Sequence, residues 1–158
     1  MMLYHGSFTA VPKPNLSFCR DTTDFGKGFY TTTIQSQAKK WAERFMHRQG
    51  DGVVSIYEMD EDKIRKNESV LEFDSYSDEW LDFIIKCRQG LPTGNFDLII
   101  GGIANDDVFN TLTLFYRGFI DKIEAIKRLR YEKPNIQYCL KTQSVIEEYL
   151  VFKGDEIL

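Results

Sequence analysis

The sequence predicts an α+β fold in one domain, and three observations carry that expectation. Runs rich in β-branched and aromatic residues, above all residues 2–8 and 136–141, gather toward the two ends of the chain. Stretches with apolar residues at helical spacing lie between them. The 158 residues, 42% of them hydrophobic, suffice for one core of ordinary size, and no repeat, linker or low-complexity run divides them.

Residues 2–8 form the first expected strand, and Pro12 and Pro14 turn the chain into a loop reaching Phe25. In Asp24-Phe25-Gly26-Lys27-Gly28, two glycines flank a lysine. They allow a tight turn and let a ligand approach the backbone closely. Residues 29–33 then read as a strand with Phe29, Thr31 and Thr33 on one face and Tyr30 and Thr32 on the other. Thr33 is placed to cap a helix from residue 34 to about residue 49, with Ala38, Trp41, Ala42 and Phe45 as its buried stripe.

Strands are expected at residues 53–59 and 70–73. Ser77 opens a helix whose apolar face is Trp80, Leu81, Ile84 and Ile85, ending near Gly90. Residues 96–100 read as a buried strand broken by Gly101-Gly102. Asn105 caps a helix with Asp106 and Asp107 in its first turn, favourable beside the positive end of the helix dipole. A helix over 122–131 stops before Pro134. A strand at 136–141, a turn or two of helix over 142–147 and a last strand at 149–152 complete the chain.

A net charge of −4 argues against a general nucleic-acid-binding surface. Lys122, Lys127, Arg128, Arg130 and Lys133 make one basic cluster, read as a solvated helix face with Ile123, Ile126 and Arg130 in a mixed stripe. No apolar run approaches the roughly 20 residues needed to span a bilayer. No basic or apolar leader precedes the first motif, so a cytoplasmic protein is expected. Cys19, Cys87 and Cys139 are odd in number and widely spaced, which suggests neither a disulfide framework nor a metal site.

Three fragments carry the functional signal: Leu3-Tyr4-His5-Gly6-Ser7, Gly26-Lys27-Gly28-Phe29-Tyr30, and Asn135-Ile136-Gln137-Tyr138. Taken singly, each has a structural explanation, Tyr30 as a half-buried strand residue and Gly6 as a bulge. Together and in this order they resemble the ADP-ribosyltransferases, in the branch that contains diphtheria toxin and the poly(ADP-ribose) polymerases. That resemblance implies a split barrel of two packed antiparallel sheets with flanking helices, an NAD cleft between them with His5 and Tyr30 on one wall, and a triad of His5, Tyr30 and Gln137. It implies NAD as substrate, no metal, and no membrane. The acceptor is an unidentified protein or nucleic acid, and an antitoxin is a candidate partner.

The chemistry the reaction needs matches these residue types. The backbone of Gly6 is open to a carboxamide because no side chain blocks it. Tyr30 offers a ring for stacking, and the Gly28 turn brings it to the ligand. The resemblance gives His5 the adenosine ribose hydroxyls. Ser7, Ser36 or Gln37 are candidates for a further carboxamide bond. Trp41 is either a second ring or, as its helix position suggests, core.

Gln137 stands where the family places a glutamate. It keeps a hydrogen bond to the ribose hydroxyl but lacks the charge and the basicity, a loss of about 3 kcal/mol in transition-state stabilisation. Asp24, Asp106 and Asp107 are candidate substitute acids, and Gln137→Glu is expected to raise nicotinamide release. A mono-ADP-ribosyltransferase, as a toxin of a toxin–antitoxin pair, is the leading expectation. A non-catalytic NAD or ADP-ribose binding module and an NAD glycohydrolase are the alternatives.

Overall fold

A computed structural model describes residues 1–46, 48, 50–132 and 134–158. Strands β1 (Met2–Ser7), β2 (Phe29–Thr32), β3 (Val53–Met59), β4 (Val70–Glu72), β5 (Leu98–Gly102), β6 (Ile136–Leu140) and β7 (Leu150–Ile157) alternate with helices. These are α1 (Gln35–Met46), α2 (Glu61–Asn67), α3 (Asp78–Arg88), α4 (Asp106–Tyr116), α5 (Lys122–Leu129) and α6 (Gln143–Tyr149). The class is α+β as expected. The proposed helix end at Gln49 and the cluster residue Lys133 lie outside the described residues.

All seven strands hydrogen-bond into one mixed sheet in the order β4-β5-β6-β2-β1-β3-β7, so two separate antiparallel sheets are not seen. Only β4 and β5 run parallel. The sheet nevertheless has a seam. β1 pairs with β3 over six residues from Met2↔Glu58 to Ser7↔Val53, but with β2 at the single pair Tyr4↔Thr32. Past that pair the two strands are no longer joined by a ladder.

Hydrophobic packing on the two faces explains where the seam opens. Leu3, Phe29, Tyr57, Met59, Tyr138 and Leu140 share one cluster with α2 and α6, through Ile64, Val145, Ile146 and Tyr149. Across the sheet, Ile99 and Cys139 are covered by α3, α4 and α5, through Trp80, Leu81, Ile84, Val108, Leu112, Ala125 and Leu129. Val54 is covered separately by Ala38 and Ala42 of α1. Tyr30 packs against the first of these two covers and Tyr4 against the second. The boundary between them therefore follows the β1–β2 seam. Each large side chain fully buried in these clusters contributes about 1.5–3 kcal/mol.

Several local expectations are corrected. Thr32 rather than Thr33 serves the start of α1, its Oγ1 accepting from Ile34 N–H at 3.1 Å. In α1 only Ala38 and Ala42 are buried; Trp41 and Phe45 are half-exposed, because the helix sits so close to β1 that only alanines fit beneath it. Gly101 and Gly102 continue β5 instead of breaking it, since they let Phe25, Phe73 and Tyr76 lie directly on the strand. β7 runs on to Ile157, its register with β3 shifting between Ile56 and Tyr57, where Lys153 is the extra residue. Helix α2 was not expected from the sequence; Asp60 caps it, accepting from Lys63 N–H at 3.0 Å, and Ile64 anchors it.

The basic cluster is largely a solvated helix face. Ala125 and Leu129 are the buried residues of α5, and Ile123 is exposed. Lys122 is engaged by Asp78 and Asp82 of α3, and Arg128 by Glu124 within its own helix. No helix among the described residues is long and apolar enough to cross a membrane.

Candidate functional site

The three motif strands are neighbours, in the order β6-β2-β1, at the middle of the sheet. Where the ladder between β1 and β2 ends, a side chain replaces it. His5 Nδ1 donates to the Tyr30 carbonyl at 2.7 Å. Because that carbonyl only accepts, the proton sits on Nδ1 and Nε2 keeps its lone pair. Burial holds the imidazole below its usual value, opposed by the bond to Tyr30, so the ring is neutral near pH 7. Nε2 has no partner among the described residues and can accept a hydroxyl proton.

Tyr30 is held at its far end. Its hydroxyl donates to the Gly26 carbonyl at 2.6 Å and accepts from Phe25 N–H at 2.8 Å. Burial drives the phenol far above its usual value, so it remains a neutral donor. Phe25 lies nearly parallel to the Tyr30 ring, centroids 6.4 Å apart. That side of the ring thus faces core. The His5 ring lies instead against Phe29, centroids 4.5 Å apart, so it and the Tyr30 ring emerge on opposite sides of β2. The sequence suggested one wall for both. Strand alternation sends Phe29 and Tyr30 to opposite faces, and only the Tyr30 backbone reaches His5.

Glycine is required at two of the expected site positions by close approach. A Cβ on Gly6 would meet Ala38 O and Ala42 N of α1 and Trp41 Cβ. A Cβ on Gly28 would meet Cys139 Sγ and the Leu140 carbonyl. Gly28 lets β2 close on β6, and Gly6 lets α1 close on β1, bringing Trp41 beside it. Ser7 is nearly buried, and its hydroxyl has no partner among the described residues. Thr31 and Thr32 fasten β2 to β6, donating to the Tyr138 and Ile136 carbonyls at 3.1 and 3.2 Å.

Gln137 is 3% exposed and pairs across the strand with Thr32, on the Tyr30 side of the sheet. Its Nε2 donates to Asp24 Oδ2 at 3.1 Å and lies 3.5 Å from the Gly102 carbonyl. Of the three candidate substitute acids, Asp24 is therefore the one brought to Gln137. Asp106 and Asp107 stand exposed in the first turn of α4. Asp24 is further held by Arg88 Nη2 at 2.7 Å and Ala104 N–H at 3.1 Å. The sequence reading missed Arg88, at the end of α3, and Lys141, whose Nζ donates to the Phe25 carbonyl at 2.6 Å. Neither carries a local signal, since each becomes relevant only when its element packs against the Asp24–Gly28 loop.

Two clefts lie elsewhere. One of about 540 Å³ is lined by acidic residues of β3 and α2 together with Glu148 and Tyr149. The other, of about 420 Å³, lies between α3 and α4 and is bordered by Arg88. Neither includes His5, Tyr30 or Gln137. No group of His, Cys, Asp and Glu suited to holding a metal occurs among the described residues.

Over residues 1–152 the chain matches the family described as "Protein of unknown function (DUF3990)", and it belongs to that family. No curated protein and no solved structure matches it.

Proposed function

We propose that this chain is an NAD-dependent mono-ADP-ribosyltransferase whose site is built from His5, Gly6, Ser7, Tyr30 and Gln137. The observation that supports this reading most is the meeting of three distant motifs at one seam. β1, β2 and β6 are adjacent, His5 bonds the Tyr30 backbone, and Gln137 faces Thr32 two residues along from Tyr30. In this reading the seam corresponds to the split of an ADP-ribosyltransferase-like barrel, with NAD lying along it.

The residues fit such a ligand. The edge of β1 beyond Tyr4 has no ladder partner on the β2 side, so the Gly6 backbone can serve a carboxamide there. The Tyr30 ring, fixed by its hydroxyl, stacks on nicotinamide without losing further freedom. Trp41, half-exposed beside Gly6, supplies a second ring. Neutral His5 accepts from a ribose hydroxyl through Nε2. In the reaction the bond from ribose C1′ to the nicotinamide nitrogen breaks, and its electron pair leaves with nicotinamide. An acceptor lone pair then forms the new bond to C1′, and the acceptor's proton passes to solvent. The Gln137 amide meets the 2′-hydroxyl beside the cationic centre without a charge of its own, which favours single transfer over chain elongation.

The acceptor is a group on a protein or nucleic acid, and the protein acts as the toxin of a toxin–antitoxin pair. A second reading, a binding module that holds NAD or ADP-ribose, is favoured by one observation only, the amide at position 137. Incubation with labelled NAD and a bacterial lysate, followed by mass spectrometry and NAD titration, separates these two readings from each other and from an NAD glycohydrolase. Labelled acceptor together with released nicotinamide is expected. NAD binding without release supports the binding module, and release without a labelled acceptor supports the glycohydrolase. Absence of both binding and release refutes all three.

A further inference from the structure

The Asp24–Arg88 pair is an unusual arrangement for a structural ion pair. Both side chains are largely buried, at 15% and 28% exposed, and they join a loop to the far end of α3. Arg88 Nε is a buried donor with no partner among the described residues, while its guanidinium lies 4.9 Å from the Phe109 ring centroid. A buried pair with an unmet donor is a poor source of stability, and such groups collect where position matters more than folding energy. What this pair positions is visible in its third partner. Asp24 Oδ2 takes the Gln137 amide nitrogen, whose other near neighbour is the Gly102 carbonyl.

Two acceptors thus face Nε2, which turns Oε1 away from them. Oε1 has no hydrogen-bond partner among the described residues. Without Asp24, the amide could turn and present N–H in place of C=O, since the two ends are nearly the same size. The carboxylate also polarises the amide, adding negative character at Oε1. The geometry points to Asp24, held by Arg88, as the positioning residue that fixes Gln137 with its carbonyl toward the ribose and places a negative charge one side chain behind it. This rests on the transferase reading and extends it, because the charge missing from β6 is supplied by the loop before β2. It also reverses the expectation for Gln137→Glu, which sets a second carboxylate about 3 Å from the first, where both cannot ionise without cost.

The test uses the full chain and four proteins: wild type, Asp24→Asn, Gln137→Glu and the double variant. Nicotinamide release is followed against NAD concentration. Asp24→Asn should lower kcat about a hundredfold with little change in KM, as expected for a contact that acts in the transition state. Gln137→Glu alone should also fall. The double variant exchanges acid and amide between the two positions, so that the amide at position 24 donates to the carboxylate at position 137. It should recover wild-type release or exceed it. A merely structural role predicts summed damage with no recovery. Asp24→Asn with wild-type kcat, or recovery in Gln137→Glu alone, overturns the inference while leaving the transferase reading intact. Wild-type protein that releases no nicotinamide overturns both. A thermal-unfolding cycle over the same four proteins, without NAD, should show positions 24 and 137 to be coupled. Additive midpoints there overturn the pairing itself.

Discussion

Tyr30→Phe removes one oxygen and should disable the site without touching the stacking ring. The hydroxyl makes two bonds, to the Gly26 carbonyl at 2.6 Å and from Phe25 N–H at 2.8 Å. Each neutral bond contributes about 1 kcal/mol net, and a donor left without a partner adds about 1 kcal/mol or more. The expected loss is thus about 3 kcal/mol. Phe25 is 1% exposed and packs against Tyr30, Phe73 and Phe83, so the loss belongs to the core. For a chain of this size that lowers the thermal midpoint by roughly 6–12 °C. The loop freed by the change carries Asp24, so nicotinamide release should fall more than NAD affinity does. Circular dichroism melts and NAD titration on the same preparations check both quantities. A midpoint and a release rate equal to wild type would refute the claim that this hydroxyl holds the loop.

Gly6→Ala forces a methyl against α1 backbone atoms, Ala42 N among them at 2.8 Å, and backbone cannot swing aside as a side-chain tip can. A cost near the top of the overpacking range, about 3 kcal/mol, is expected; an unchanged melting curve would mean that α1 does not bear on β1 as described. His5 should make stability pH-dependent in a defined direction. Its folded pKa lies below the ordinary 6.5, so between the two values the unfolded chain binds more protons. Its contribution is complete above about pH 6.5 and is lost as pH falls through the folded value. The midpoint difference between wild type and His5→Asn should shrink from pH 7.5 to pH 5, and a constant difference would exclude a depressed imidazole.

The α+β class, most element positions and the three motifs were legible in the sequence because each depends on local chemistry. Alternation marks a strand, Ser77 and Asn105 cap their helices through their own side chains, and Gly28-Phe29-Tyr30 is contiguous. The last strand was foreshortened because Gly154, Asp155 and Glu156 look like loop until β3 pairs with them. Gly101 and Gly102 resembled a strand end because the rings that need their missing side chains come from distant parts of the chain. Trp41 was assigned to the core by helical spacing, which tells the face of a helix but not its distance from the sheet. Asp24 could be named as a candidate acid, yet nothing local distinguished it from Asp106 and Asp107. That choice belongs to the tertiary structure: Arg88, Ala104, Gln137 and Asp24 are scattered over the chain, and only the packing of α3 and β5 beside the loop before β2 draws them to one carboxylate.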